Sequence, residues 1–522
     1  MAAVEVGGVA FSTQDRIDLR IALGLNQSEA AGLVQPSEPD HIGVAGTRFF
    51  GLGRRGSAPS GFTESSVYGK YKFTDGSEMV WVPAFYYRIG HASNPTFARW
   101  ALNSIHVLPA GAFANVGDAN AAGYALPRAF YNAGAVQAGF FVDKFQCSNN
   151  AGVASSIRNG NPLSSASAHN PFAGLTGAPA NNYGGAFAAA KTRGSRFFPL
   201  MRYQRVALAM LCIAQAQAAS SAADCAWWDG SATGLAGPKG CNNNALGDAS
   251  DTAVSYTSDG YSQCGKTGSG VPFAKTTHNG QESGIADLNG NMWEINPGIT
   301  CITVSGSVTG ITQANPAVVT QPAHGFATGR WCRIDGAGGM TQVANKLFQL
   351  TAIDANTYSI GVDSTAWTAY TSGGTGTQGT FWALSTSADA AAITGGNTSA
   401  TDQWGATGVA AHSVIVPAQF SAGAGFDLRY GNAANQVLSN AVSGDSWLHA
   451  NLGFLAASNG VSVSGINAFG LDYFYQYNQS ELCPVAGGSW SNGSAAGVWA
   501  VSWSNERSYS SAGVGFRAAS YL

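Results

Sequence analysis

The C-terminal stretch GGSWSNGSAAGVWAVSWSNERSYSSAGVGFRAASYL, residues 487–522, mixes small polar residues with tryptophans. Apolar residues alternate over 498–503, which predicts a strand with Trp499, Val501 and Trp503 on one face. The residues between them fall on the opposite face. We therefore expect one buried face, while the other face and the loop after the strand are available to a ligand.

Three short motifs within this stretch resemble a known family. GGSWSNGS at 487–494, WSN at 503–505 and VGFRAA at 514–519 resemble the C-terminal variable region of diversity-generating-retroelement proteins. Upstream, GIADLNGNMWEINPG at 284–298 is similar to the Gly-Asn-x-Trp-Glu element shared with formylglycine-generating enzymes. The resemblance implies a C-type-lectin-like fold. The best-known relatives are receptor-binding proteins of phage tail tips.

The rest of the chain predicts the α+β class. DGSEMVWVPAFYYRI at 75–89 and FFVDKFQC at 140–147 are rich in β-forming residues, and they resemble strands of the same phage proteins. Apolar residues at helical spacing predict a helix between Arg202 and Ala218. We expect this helix to pack on the strands of a C-type-lectin-like (formylglycine-generating-enzyme-like) domain.

Residues 303–378 interrupt the pattern with short strand and turn signals. NPAVVTQPAHGFATG at 315–329 and DANTYSI at 354–360 resemble a small domain of phage tail proteins that is named after part of ubiquitin-activating enzymes. The name implies no ubiquitin chemistry here. We predict an inserted all-β module, with adjacent strands of the parent domain at 293–301 and 381–384.

These signals predict four segments along the chain. The first is either an attachment or trimerisation segment with a short helix at 13–25, or a disordered leader. The predicted boundaries are 1–60 for this segment, 61–302 for the first part of the lectin-like domain, 303–378 for the module and 379–522 for the second part, with the variable region at 487–522.

Charge and hydropathy exclude several classes of partner. Charged residues make up 11% of the chain, and its 26 Lys and Arg against 29 Asp and Glu give a net charge of −3, so no basic stripe indicates nucleic-acid binding. The longest apolar run, 206–219, is too short for the roughly 20 residues of a membrane span, so we expect no membrane insertion. The first 13 residues lack the basic start of a secretory signal.

The residues that an oxidase of the formylglycine type requires are missing. In that family a Cys follows the Gly-Phe-Arg element, whereas Ala518 follows Arg517 here, and Cys483 is the only cysteine after Cys332. The string GDSW at 444–447 lacks the strand-to-helix elbow of a serine esterase. We therefore predict no catalytic residue, no cofactor and no enzymatic activity.

In the resembling family the 284–298 element is structural, with Trp293 in the core and Glu294 hydrogen-bonded.

We also predict no metal site. The eight histidines form no HxH or HExxH pair, and the eight cysteines form no CxxC pair. Asp248 and Asp251 in the 240–251 loop could offer oxygens to calcium, but Asx-turns explain the same residues. The chain could form a disulfide between Cys241 and either Cys225 or Cys264, or keep these thiols reduced.

The C-terminal stretch supplies the candidate ligand-binding residues. They are small hydroxyl or apolar side chains together with large aromatic or cationic ones: Ser489, Trp490, Ser491, Ser494, Ala495, Trp499, Ser502, Ser504, Arg507, Ser508, Tyr509 and Ser511. The small residues of this set, Tyr509 and Ala512 are the candidate exchangeable positions. Trp490 or Tyr509 could stack on a sugar, whereas the expected fixed supports are Trp490, Trp499, Trp503, Phe516 and Arg517.

The resemblance implies a phage or prophage tail-fibre protein that binds a host-surface receptor, either protein or glycan, through its diversified C-terminal surface. It further implies a homotrimer that contacts other tail-fibre or baseplate proteins, made in the host cytoplasm and located at the fibre tip of the virion. One alternative is a diversified ligand-binding protein displayed on a bacterial surface. The other is a formylglycine-generating-type oxidase.

Overall fold

A computed structural model describes most of the chain. It covers residues 40–65, 68–101, 104–229, 237–344, 346–396, 398, 472–473 and 479–521, and the backbone of strands at 5–6, 9–10, 412–415, 428–429, 456–457 and 474–476. The predicted helix at 13–25 and the GDSW string lie outside these residues. Within them, no helix is long and apolar enough to cross a bilayer.

The largest sheet has six strands, and the C-terminal strand of the chain is one of its inner strands. Its spatial order is Phe198–Pro199, Ala518–Ser520, Gly139–Asp143, Glu78–Pro83, Lys70–Phe73 and Phe62–Glu64. The pairs are antiparallel, and Phe141 lies opposite both Ser520 and Trp81. The strands predicted within 75–89 and 140–147 are confirmed as Glu78–Pro83, Phe85–Ile89 and Gly139–Asp143. Phe85–Ile89 pairs outside the large sheet, with Ile105–Pro109.

The predicted helix is confirmed at Arg202–Ala218. It contains no Gly or Pro, and Gln204 Oε1 accepts the backbone N–H of Met201 at its start (3.0 Å). All but one of its residues are buried, so it is a central element rather than a surface helix. The other described helices are Phe97–Trp100, Val116–Ala121 and Tyr183–Lys191, with 3-10 turns at Ala110–Ala112, Arg128–Phe130, Phe172–Gly174, Phe273–Thr276, Thr341–Val343, Ala390–Ala392 and Gly493–Ala495.

A second, five-stranded sheet carries the C-terminal stretch. Its order is Phe474–Gln476, Val501–Trp503, Val485–Ala486, Trp293–Ile295 and Val514–Gly515. The expected strand at 498–503 is shorter than predicted, and every residue from 498 to 503 is buried. The expectation of one open face is therefore wrong, since Val498 and Ser502, which were expected on the open face, are buried. Trp293 is also only partly buried, at the edge of the core.

Two long strands lead into and out of the region of the predicted module. Ile299–Ser307 pairs antiparallel with Thr375–Leu384, and Cys301 lies opposite Phe381. We call these two the stem strands. Trp331–Asp335 and Phe348–Gln349 extend their sheet, while Gly310–Ile311, Val318–Thr320, Thr357–Ser359 and Thr351–Ala352 form another. Residues between 308 and 360 bury an apolar core of their own, distinct from the main one.

The main core lies between the six-stranded sheet and the central helix. It also takes in Ile42, Phe49, Phe50 and Leu52, so residues 42–52 pack as part of the main body. The remaining strands form two-stranded pairs: Tyr131–Asn132 with Ala135–Val136, Ser148–Asn150 with Val153–Ser155, Glu5–Val6 with Val9–Ala10 and Leu428–Arg429 with Ala456–Ala457. The described chain is thus a mixed protein with many small, mostly antiparallel sheets and few helices.

Candidate ligand-binding surface

The first loop of the C-terminal stretch, residues 488–499, closes on itself. The N–H of Gly487 donates to the Ala500 carbonyl (2.9 Å), and the N–H of Gly497 donates to the Gly487 carbonyl (3.1 Å). Gly488 has a φ of +83°, and a Cβ there would meet the Cβ of Ala496 at 2.5 Å. Only glycine fits this turn. The base of the loop is therefore fixed by the backbone, whatever side chains its tip carries.

The second loop, residues 504–513, is held by a neighbouring segment that contains Ser165. Its hydroxyl accepts the N–H of Ser511 (3.0 Å), and its own N–H donates to the carbonyl of Val514 (2.7 Å). The carbonyl of Ala512 accepts the Nδ1–H of His169 (2.8 Å). These contacts use backbone atoms of the loop, so they also tolerate changes of its side chains.

The two loops meet at Gly513, where a Cβ would lie 3.5 Å from the Trp490 ring and 3.6 Å from Ser489. Trp490 packs edge-on against His169 and Tyr261, with ring centroids at 5.9 and 6.2 Å. Because this packing buries its indole, Trp490 cannot stack on a sugar in this conformation. Of the two aromatics expected to stack, Tyr509 is the exposed one.

The predicted binding residues divide into exposed and buried groups. Ser491, Ser494, Ser508 and Tyr509 are exposed, with 40% of Tyr509 accessible. Ala495, Ser504, Ser511 and Ala512 are partly exposed. Ser489, Trp490, Trp499, Ser502 and Arg507 are buried.

Each buried candidate contacts the protein itself. Ser489 donates to the Oδ1 of Asn492 (2.8 Å), and Ser502 lies 3.0 Å from the hydroxyl of Ser504. The Arg507 guanidinium lies over the Tyr183 ring at 4.6 Å and donates to the Gly396 carbonyl (3.1 Å). These side chains position the loops and are not available to contact a ligand in this conformation.

A buried ionic network fixes the end of the chain beneath both loops. The carboxylate of Glu294 accepts hydrogen bonds from Arg517 (2.8 Å) and Arg205 (2.9 Å), which come from the C-terminal segment and the central helix. The Gln146 amide also donates to it (3.1 Å). Burial favours a raised pKa, but the two guanidinium groups more than offset burial and hold the pKa of Glu294 below its ordinary value. The structural role predicted for Glu294 fits these contacts.

The 240–251 loop uses its carboxylates internally. Asp248 accepts the N–H groups of Gly240 (2.7 Å) and Ser250 (2.8 Å), and Asp251 pairs with Lys275 (2.7 Å). The Asx-turn alternative accounts for these contacts.

All eight cysteines are buried and present as free thiols. Burial raises the pKa of Cys225, Cys241 and Cys483 to about 12. A thiol with such a pKa is protonated at neutral pH and is a poor nucleophile.

Sequence reasoning missed the residues beneath the two loops. Ser165, His169, Asp259 and Tyr261 carry no motif, because the contacts of His169 with Asp259 and of Ser165 with Ser511 join positions 90 and 346 residues apart. Only the aromatic and hydroxyl composition of the loops indicated that a support was needed.

One comparison with known proteins bears on the chain. Residues 314–379 match the family model of the ubiquitin-activating enzyme E1 FCCH domain, so this part is similar to that domain. The match covers most of the segment between the stem strands. No curated protein matches the chain.

Proposed function

We propose that this chain is a receptor-binding protein of a phage or prophage tail fibre, which recognises a host-surface ligand through the loops 488–499 and 504–513. The observation that carries the proposal is the division within the C-terminal stretch. Its backbone is tied down by buried residues, while the side chains of Ser491, Ser494, Ser508 and Tyr509 are exposed to solvent. Binding residues are often placed on loops held by such a scaffold.

The proposal includes a C-type-lectin-like fold. It is supported by the path of the chain end, which pairs as an inner strand with Gly139–Asp143 and packs beside the central helix. It is further supported by the Trp293-Glu294 element, whose carboxylate holds Arg517 of the Gly-Phe-Arg element. The two resembling motifs thus contact each other directly.

The chemistry of the surface suits a polar ligand. Its exposed side chains include hydroxyls and one phenol, which donate and accept hydrogen bonds, and the carboxylate of Glu506, which accepts a hydrogen bond from Ser508 (2.5 Å). Such single contacts are weak. Display on a homotrimer, repeated over several fibres, raises overall affinity by roughly 10² to 10⁴.

The FCCH-like module favours the phage assignment over a bacterial surface protein, because it resembles a domain of phage tail proteins. We propose no enzymatic activity. An oxidase would need an accessible thiol near the chain end, and Cys483 is buried. Turnover of a Cys-containing peptide with copper that disappears in Cys483→Ala would contradict this.

The test is to sequence the 3′ end of the gene from many individuals of one population. We expect substitutions to concentrate at Ser491, Ser494, Ser508 and Tyr509, traceable to adenines in a nearby template copy. Codons for the buried Trp499 and Trp503 serve as the internal control and should not vary. An invariant end, or changes spread equally over buried positions, would contradict a diversified surface.

A binding assay separates the phage from the bacterial alternative. The fluorescent full-length chain should label a subset of host strains, and Tyr509→Ala should reduce labelling at unchanged thermal stability. The chain should co-purify with tail particles. Co-purification with bacterial envelopes in the absence of particles would instead support the bacterial protein.

A further inference from the structure

Three potential metal ligands converge beneath the two C-terminal loops. They are an imidazole nitrogen of His169, a carboxylate oxygen of Asp259 and Cys264 Sγ, which all lie within 4.8 Å of one another. The His169 and Asp259 side chains are 2% and 0% exposed, and Cys264 is fully buried. They form the one such group found among the described residues.

The hydrogen bonds of His169 orient it as metal-binding histidines are oriented. Its Nδ1 faces the Ala512 carbonyl at 2.8 Å, and a carbonyl only accepts, so Nδ1 carries the proton. In the neutral ring, Nε2 then presents a lone pair to Asp259 Oδ2 at 2.6 Å. At that distance a proton lies between the two atoms, and a bound cation would take the place of this proton. A carbonyl that accepts from the far nitrogen is the usual arrangement around a metal-bound imidazole.

The other two ligands are also held by their surroundings. Asp259 Oδ1 accepts the N–H of Tyr261 (2.8 Å), and the Tyr261 ring stacks on His169 with centroids 4.2 Å apart. The N–H of Asp259 donates to the Cys264 carbonyl (3.0 Å), which closes the turn that brings both ligands together. The site is therefore preformed by two segments, around His169 and from Asp259 to Cys264.

We propose that His169, Asp259 and Cys264 bind a zinc ion. The set of one imidazole, one carboxylate and one thiol matches the ligands that zinc takes in proteins, and it leaves one tetrahedral position for a further ligand. Nitrogen and oxygen ligands of a tetrahedral zinc lie roughly 3.3 Å apart, given bonds of about 2.0 to 2.1 Å. The His169–Asp259 pair would therefore open slightly when the ion enters.

The ion would stabilise the base of the candidate surface. The Nδ1–H of His169 donates to the Ala512 carbonyl of the second loop, and the His169 ring contacts Trp490 of the first loop. Zinc bound to His169 would thus fix both loops to the segment 259–264. This inference stands independently of the proposed function, since it concerns the scaffold and not the receptor.

The first experiment measures zinc in the purified full-length chain after dialysis with one equivalent of zinc and a reducing agent. We expect about one zinc per chain, and at least a tenfold lower content in His169→Gln and Cys264→Ser. Cys212→Ser, a buried thiol of the central helix in a different core cluster, is the matched control and should retain the ion. Circular dichroism shows which variants are folded.

A second measurement needs no variant. Cobalt titrated into the metal-free wild-type chain should give thiolate-to-cobalt absorption that saturates at one equivalent, and zinc should displace it. Chelation of the zinc-loaded chain should lower its Tm. Absent cobalt–thiolate absorption, or zinc content unchanged in folded His169→Gln, would overturn the site. His169 and Asp259 would then share a proton as a buried ion pair.

Discussion

Glu294 is a fully buried carboxylate, and residues from two distant parts of the chain neutralise it. Arg205 lies on the central helix, and Arg517 directly precedes the last strand, Ala518–Ser520. Arg517 also donates to the carbonyls of Asp143 (3.0 Å) and Ala286 (2.8 Å). One side chain thus joins the central helix, the C-terminal segment and the 284–298 element.

Glu294→Gln should destabilise the protein by about 3 to 5 kcal/mol, because it leaves two buried guanidinium groups without a counter-charge. Urea denaturation followed by tryptophan fluorescence measures this. The control is Glu64→Gln, which removes the partner of Arg54 at the surface. It should cost no more than about 1 kcal/mol. Equal costs for both substitutions would contradict the role given to the network.

His278 should make the protein sensitive to acid. Its Nδ1 accepts the N–H of Ile285 (2.9 Å), and its Nε2–H faces the Gly51 carbonyl (3.4 Å). Burial, together with the nearby cationic Lys144 and Arg517, lowers the pKa of His278 from 6.5 to about 3. Between these values the unfolded chain binds a proton that the folded chain does not, so stability falls as the pH falls.

The expected loss attributable to His278 is about 4 kcal/mol between pH 7 and pH 3. His278→Asn keeps an acceptor near the Ile285 N–H and removes the titration. Its free energy of unfolding should therefore depend less on pH than that of the wild type. His91→Asn, a partly exposed site, is the control and should retain the wild-type slope. Identical slopes in all three proteins would contradict this prediction.

Local pattern predicted some elements well. The helix Arg202–Ala218 and the strand Glu78–Pro83 follow from spacing and composition alone. The burial of both faces of Val501–Trp503 could not be predicted in this way, because it depends on packing against residues distant in sequence, such as Phe381 beside Trp503. The same limit applied to Arg507, whose charge indicated exposure but whose partners, Tyr183 and Gly396, lie far away in sequence.

The pairing of the stem strands predicts that the module between them can be removed without unfolding the main body. Val304 lies opposite Gln378 in the antiparallel pair, so replacing residues 305–377 by Asn-Gly should close a two-residue hairpin. The main core would keep Cys301, Phe381 and Leu384. We expect the shortened chain to fold, with a Tm within a few degrees of the wild type.

Thermal denaturation and limited proteolysis test this excision. The control replaces the same residues by a twelve-residue Gly-Ser linker, which closes the stem without a defined turn and should fold with a slightly lower Tm. An insoluble or unfolded product from both versions would show that the module and the main body are not separable.

In the part of the chain that the structure describes, a buried interior supports exposed loops whose side chains we propose to be exchangeable. The main core, the Glu294 network and the backbone contacts of Gly487 involve none of the side chains of Ser491, Ser494, Ser508 and Tyr509. Under the proposed function, stability and recognition are therefore carried by different residues of the same short stretch. Such a separation allows a binding surface to change without a change of fold.

The separation predicts a difference in the cost of substitution. Changing Ser491, Ser494, Ser508 and Tyr509 together to Ala should alter the free energy of unfolding by no more than about 2 kcal/mol, since exposed positions contribute within about 0.5 kcal/mol each. Trp503→Ala alone should cost about 3 to 5 kcal/mol, because its side chain is fully buried. Urea titrations of both variants measure the difference. If the fourfold variant lost as much stability as Trp503→Ala, the exposed residues would be part of the support, and a diversified surface could not be accommodated there.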